Sequence, residues 1–173
     1  MIKEKYSLPQ LEQILFKVGN SLEKENHIIA VGGFCMLLQK SRVFTVDIDF
    51  IPSEVELAVP LEYSDVLNHD ILNVATLLLD YDTIKRFTHT ERRYGNLVVH
   101  LANNEYLLAA KIIARQARQQ ERDAQDIKYL YPITDWEGMY RVYKKINRGV
   151  VESSEDLKAF VETELWMMDK GGF

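Results

Sequence analysis

Cysteine is almost missing from this chain of 173 residues. Cys35 stands alone, so neither a disulfide framework nor a cysteine-based zinc site is available, and a reducing compartment suits it. Proline and glycine are sparse, at 4 and 8 residues, which excludes low-complexity and linker-dominated architectures. No long apolar run exists. The best, Ile71 to Leu79, is interrupted by Asn73 and Thr76 and falls short of the roughly 18 residues of a membrane span. No apolar stretch follows the charges of the first six residues, so no signal peptide is expected. Basic charge is not in excess. The 21 Lys and Arg against 26 Asp and Glu give a net charge of −5, so any hold on phosphate must come from a local basic patch. What is plentiful is apolar side chain, 47% of residues, enough to bury a core. The expectation is a cytoplasmic protein with no membrane contact, forming a single domain over residues 1–173.

Along the chain, Leu11, Ile14, Leu15, Val18 and Leu22 recur at helical spacing and predict an amphipathic helix within the first 26 residues, with Ser7 as its cap and Pro9 in its first turn. His27 to Val31 is a short β-branched run that stops at Gly32-Gly33. Phe34 to Lys40 reads as a short helix, and strand character returns from Arg42 to Ile51, ending at Pro52. Val55 to Val59 reads as another short strand, and Val66 to Leu79 as a strand or a buried helix. Ile84 to Thr90 and Asn96 to Ala102 flank a charged turn, Glu91 to Gly95, and predict a hairpin. Asn104 to about Leu130 is helical, with Pro132 as a stop, and helices over Trp136–Asn147 and Ser154–Met168 complete the chain. This order predicts an α+β fold: a short mixed sheet flanked by helices, with further helices at the C-terminus.

The chemistry concentrates between Val31 and Phe50. In an extended strand, Phe44, Val46, Ile48 and Phe50 share one face, and Thr45, Asp47 and Asp49 share the other. Packing accounts for the apolar set but not for two carboxylates opposite it. With Cβ atoms about 6 to 7 Å apart, they suit oxygen coordination of hard cations such as Mg²⁺. The glycine pair between strand and helix lets backbone N–H groups approach a phosphate closely. A phosphate cradle followed by a carboxylate pair fits phosphoryl or nucleotidyl transfer.

Gly32-Gly33, thirteen intervening residues and Asp47-Ile48-Asp49, with Arg42 and Thr45 ahead of the pair, resemble the nucleotidyltransferase superfamily that includes DNA polymerase β. More narrowly, the chain is similar to small bacterial nucleotidyltransferases of abortive-infection and toxin–antitoxin systems. Glu105 to Lys111 and Arg122-Asp123-Ala124-Gln125-Asp126-Ile127 add to the likeness, since those proteins carry Leu-x-x-x-Lys and then Arg-Asp-x-x-Asp-Ile/Leu. The resemblance covers residues 27–130, the expected catalytic core, and leaves 131–173 as a C-terminal helical extension. It implies Asp47 and Asp49 as catalytic metal ligands, Gly32, Gly33, Arg42 and Thr45 as nucleotide contacts, Lys111 as a phosphate-binding lysine and Asp126 as an active-site acid. Mg²⁺ or Mn²⁺ would be the cofactor and an NTP the substrate. An acceptor hydroxyl, on RNA such as tRNA or on a partner protein, would take the NMP and release pyrophosphate.

The resemblance also implies a third carboxylate on a neighbouring strand. The matching stretch, Asn96 to Leu101, places His100 there; imidazole ligates Zn²⁺ or Mn²⁺ better than Mg²⁺, and in another register Asp80 or Asp82 supplies the acid. A nucleotidyltransferase fold that binds nucleotide or a partner without turnover is therefore the competing reading. Lys111, Arg115, Arg118 and Arg122 share one stripe of a continuous helix, with Asp126 joining it. That stripe reads equally as a solvated outer face or as a track for triphosphate or an RNA backbone. Asp123 falls on the apolar side and calls for a partner, Arg42 or another Arg.

Overall fold

The computed structural model describes residues 4–53, 59–69, 81–118, 121–146 and 151–170. Helix α1 spans Leu8–Ser21. Its start is fixed by Ser7, whose N–H and hydroxyl both donate to Gln10 Oε1, at 2.9 and 2.7 Å, a local arrangement that stabilises helix N-termini. Leu11, Leu15 and Val18 are buried as the spacing predicts. The helix stops earlier than the first-26 estimate because Leu22 turns extended, and Asn96 ties down its carbonyl at 2.7 Å. Gly19 lets α1 lie directly on the backbone of Tyr94, where a Cβ would come within 1.5 Å of the carbonyl oxygen.

Strand β1 (Asn26–Val31) leads into the short helix α2 (Gly33–Leu38). Helix α2 is buried almost all round, which explains why Phe34 to Leu37 carry no polar residue. Lys40 closes it in the left-handed region at φ 61°. Lys40 N–H donates to Leu37 O and Ser41 N–H to Met36 O, the paired bonds of a Schellman ending.

Strand β2 covers only Ile48–Pro52, where the alternation predicted a strand from Arg42. The reason lies in the partner. Strand β1 pairs antiparallel with β2 only up to Val31 opposite Asp49, and beyond Val31 the chain becomes the Gly32 turn. Residues 42–47 therefore have no ladder to join, apart from a single bridge between Thr45 and Tyr6. Ile48 and Phe50 are buried as expected. Phe44 is 50% exposed and Val43 73%, so the apolar face predicted for Phe44 does not form.

Strand β3 (Leu67–His69) pairs with β2, and α3 occupies Tyr81–Lys85. The predicted run Val55–Val59 lies mostly outside the described residues, as does Val66–Leu79 beyond β3. Strands β4 (Thr88–Tyr94) and β5 (Leu97–Ala102) form the predicted hairpin, with two corrections. Glu91 to Arg93 lie inside β4, because the turn is made by Gly95 at φ 61° followed by Asn96. Ile84 belongs to α3 and is buried there.

The five strands order as β3-β2-β1-β5-β4, with β1 parallel to β5 and antiparallel to β2. The sheet is mixed, as predicted. The long helix expected from Asn104 to Leu130 is two elements, α4 (Asn104–Arg118) and α5 (Glu121–Leu130), packed against each other. Helices α6 (Trp136–Ile146) and α7 (Ser154–Asp169) match the expected C-terminal pair. Helix α6 packs on α4, and α7 packs on α5 and α6. A continuous set of buried apolar side chains runs from Leu11 through the sheet to Leu157 and Val161. Among the described residues no helix is long and apolar enough to cross a membrane.

Candidate active site

The glycine pair is the point where several elements converge. Gly32 leaves β1 at φ 64°, ψ −136°, a backbone conformation that side-chain-bearing residues rarely adopt. A Cβ there would stand 2.7 Å from Asp49 Oδ2. The antiparallel register places Asp49 beside Val31, the residue before the pair, so its carboxylate closes over Gly32. On Gly33 a Cβ would meet Thr45 Oγ1 at 2.3 Å and Arg42 Nη1 at 3.3 Å. The missing side chains let a carboxylate approach one glycine, and a hydroxyl and a guanidinium approach the next.

The loop that delivers Arg42 and Thr45 is fixed at both residues. Thr45 exchanges two backbone hydrogen bonds with Tyr6, at 2.7 and 3.0 Å, and is buried. Its hydroxyl also lies 3.4 Å from the carbonyl of Asp47. Arg42 donates from Nε to Asp126 Oδ1 at 2.9 Å and from Nη2 to Asp126 Oδ2, a two-pronged pairing that suits the planar fork of arginine.

Behind Arg42 lies a buried row of charge. Lys111 Nζ sits 2.8 Å from Asp126 Oδ2 and 3.1 Å from Asp123 Oδ1. Lys111 is 7% exposed, Asp126 3% and Asp123 0%. The stripe read as an outward basic face therefore turns inward at Lys111, Arg115 and Asp126, all buried, while Arg122 is exposed. The side chain of Arg118 lies outside the described residues. The physical reason is the split into α4 and α5: folding α5 back on α4 sets Asp123 and Asp126 against Lys111, and the charges neutralise one another away from water. The partner foreseen for Asp123 was Arg42 or another Arg; Lys111 stands beside it, and Arg42 pairs with Asp126 instead.

The two acids of the Asp47-Ile48-Asp49 motif are placed differently. Asp49 lies in β2, and Asp47 precedes the strand, so the spacing derived for a continuous strand does not apply; both are half-buried. As donors, two half-buried carboxylates fit Mg²⁺ or Mn²⁺, which bind one or two carboxylates and complete their shells with water and phosphate oxygens. The Asp49 carboxylate, whose Oδ2 would stand 2.7 Å from a Cβ on Gly32, is the feature that supports this fit, since it lies directly against the diglycine. Among the described residues, no group of three or more His, Cys, Asp or Glu side chains is arranged to hold a metal ion.

His100 is on β5 opposite Ile29, two positions before the level of Asp49. Its Nε2 stands 3.0 Å from His27 Nδ1, and its Nδ1 3.7 Å from Glu91 Oε2. The two rings stack at 5.3 Å between centroids. Burial pushes the His100 pKa down, helped by Lys85 and His27 and opposed by Glu91. Asp82 is exposed on α3, and Asp80 lies outside the described residues. Sequence reasoning missed His27: no local spacing links it to His100, and only the parallel register of β1 and β5 brings them together. Tyr6, which pins Thr45, was missed for the same reason.

Gly32, Gly33, Arg42, Thr45 and Asp49 are thus gathered at one place, with Lys111 and Asp126 joined to them through Arg42. A mixed sheet with a diglycine at the end of one strand, an acid from the neighbouring strand closing on it and flanking helices is consistent with a nucleotidyltransferase fold. Residues 7–169 match the family described as a nucleotidyltransferase of unknown function (DUF6036), and the chain belongs to that family. No curated protein and no solved structure matches it.

Proposed function

We propose that the protein is a metal-dependent nucleotidyltransferase that moves NMP from an NTP to a hydroxyl of RNA, such as tRNA, or of a partner protein. The observation that carries this reading is the closure of Asp49 and of Arg42 with Thr45 on consecutive glycines, which puts anion-binding groups and a hard-cation ligand side by side. The triphosphate lies along Gly32 and Gly33, with Arg42 and Thr45 as donors. Asp47 and Asp49 hold Mg²⁺ or Mn²⁺, which when bound offsets charge on the phosphate oxygens. The acceptor oxygen forms a bond to the α-phosphorus, the bond from that phosphorus to pyrophosphate breaks, and the hydroxyl proton is released to solvent. The protein contributes chiefly position and charge. By the same resemblance, the setting is a bacterial toxin–antitoxin or phage-defence system in the cytoplasm.

One observation favours a second reading, a nucleotide- or partner-binding module without turnover: the strand position where an acid was expected carries His100, engaged with His27 and Glu91. Incubating the protein with Mg²⁺ or Mn²⁺, each α-labelled NTP in turn and total RNA or lysate separates the two. Transfer of label that falls at least about 100-fold in Asp49→Asn and Asp47→Asn supports the enzyme, and the labelled band identifies the acceptor class. Metal-dependent NTP binding with no label transferred supports the binding module.

A further inference from the structure

The row from half-buried Arg42 through buried Asp126, Lys111 and Asp123 has an order that bears on what Lys111 and Asp126 do. Charges alternate along it, plus, minus, plus, minus, and Arg115, one turn further along α4, is buried as well. Two of the three guanidinium nitrogens of Arg42 are committed to Asp126, and the third, Nη1, lies against Gly33. Lys111 has its ammonium between two carboxylates and little exposed surface. In that place it offsets the negative charge that Asp123 and Asp126 would otherwise set behind the diglycine, where it would repel an anion.

We propose that Asp126 and Lys111 are positioning residues for a polyphosphate seat formed by Arg42 Nη1 and the Gly32–Gly33 backbone. They do not themselves touch the nucleotide. Asp126 locks the guanidinium plane so that Nη1 faces Gly33, and Lys111 keeps Asp126 and Asp123 charge-balanced within the protein. The inference deepens the nucleotidyltransferase reading and rests on it for the identity of the ligand. It reassigns Lys111 from phosphate binding and Asp126 from catalysis on the basis of their burial and partners.

The test is a double-mutant cycle read with inorganic tripolyphosphate as the probe, in the presence of Mg²⁺, by calorimetry, on the full chain. Wild-type protein should bind it, and Arg42→Gln and Asp126→Asn should each weaken binding by ~10- to 100-fold, the worth of a charge-assisted hydrogen bond. The double variant should be no weaker than Arg42→Gln alone, because Asp126 acts only through Arg42. Asp126→Glu should recover part of the affinity. Additive losses, unchanged affinity in either single variant, or no tripolyphosphate binding by the wild type would overturn the proposal.

If Asp126→Asn does not fold, Arg42→Lys decides. It keeps the charge and loses the nitrogen at Gly33, so it should bind as poorly as Arg42→Gln; wild-type affinity would sink the seat. The two readings fail separately. Tripolyphosphate binding with the expected non-additivity but no nucleotide transfer leaves the seat standing and removes the enzyme. Label transfer by a wild type whose tripolyphosphate affinity ignores Arg42 does the reverse.

Discussion

At the scale of single residues, the site is defined as much by missing atoms as by present ones. Gly33 is buried, with Thr45 Oγ1 and Arg42 Nη1 occupying the volume a methyl group would need. Gly33→Ala should therefore displace both side chains at once. We expect a loss of about 1–3 kcal/mol in stability from overpacking, measured by urea denaturation, together with loss of NTP binding. Stability and binding both at wild-type level in this variant would show that the Thr45–Arg42 approach is not needed. The glycine pair, Arg42, Thr45 and Asp49 were all legible in the sequence, because the chemistry of the motif lies in residue type and short spacing. The burial of Lys111 was not legible. A lysine four residues from an arginine looks the same on an outer face as in a charge-paired interface, and the difference lies in carboxylates twelve and fifteen residues further on.

At the scale of elements, the contact between β1 and β5 carries a titratable pair. A bond between His27 Nδ1 and His100 Nε2 needs one nitrogen protonated and the other bare. The folded-state pKa of His100 is pushed below its ordinary value of 6.5, so the unfolded chain binds this proton more readily than the folded one. The contribution to stability is then fully present above about pH 6.5 and is lost as pH falls through the folded-state pKa. Chemical denaturation at steps from pH 7.5 to 5 should show stability falling on the acid side, and His100→Gln should flatten part of that slope. An unchanged slope in the variant would assign the acid sensitivity to other groups. The hairpin β4–β5 was readable from alternation and turn residues. The histidine contact was not, because it spans 73 positions and depends on a parallel register. Strand β2 shows the opposite failure: local alternation was clear from Phe44 onward, but a strand needs a partner, and β1 ends at Val31.

For the whole molecule, the buried apolar set runs without interruption from α1 through the sheet to α7. That continuity predicts a single unfolding transition with no separate melting of the C-terminal helices. Leu157→Ala, fully buried in α7, should cost about 2–5 kcal/mol and shift far-ultraviolet circular dichroism and tyrosine and tryptophan fluorescence to the same new midpoint. Two separated midpoints would show that the C-terminal helices are an independent unit, and that the sheet and site fold without them.

The sequence by itself determined the α+β class, most of the helices, the hairpin and the residues gathered at the diglycine, since periodicity, turn chemistry and motif spacing are local properties. Only the tertiary structure decided where β2 begins, that α4 and α5 are two helices, that Lys111 and Asp126 face inward and that His100 pairs with His27. Each of these depends on which distant segment lies alongside. Strand pairing and the cost of burying a charge are settled between elements, and no window of sequence contains both sides of the contact.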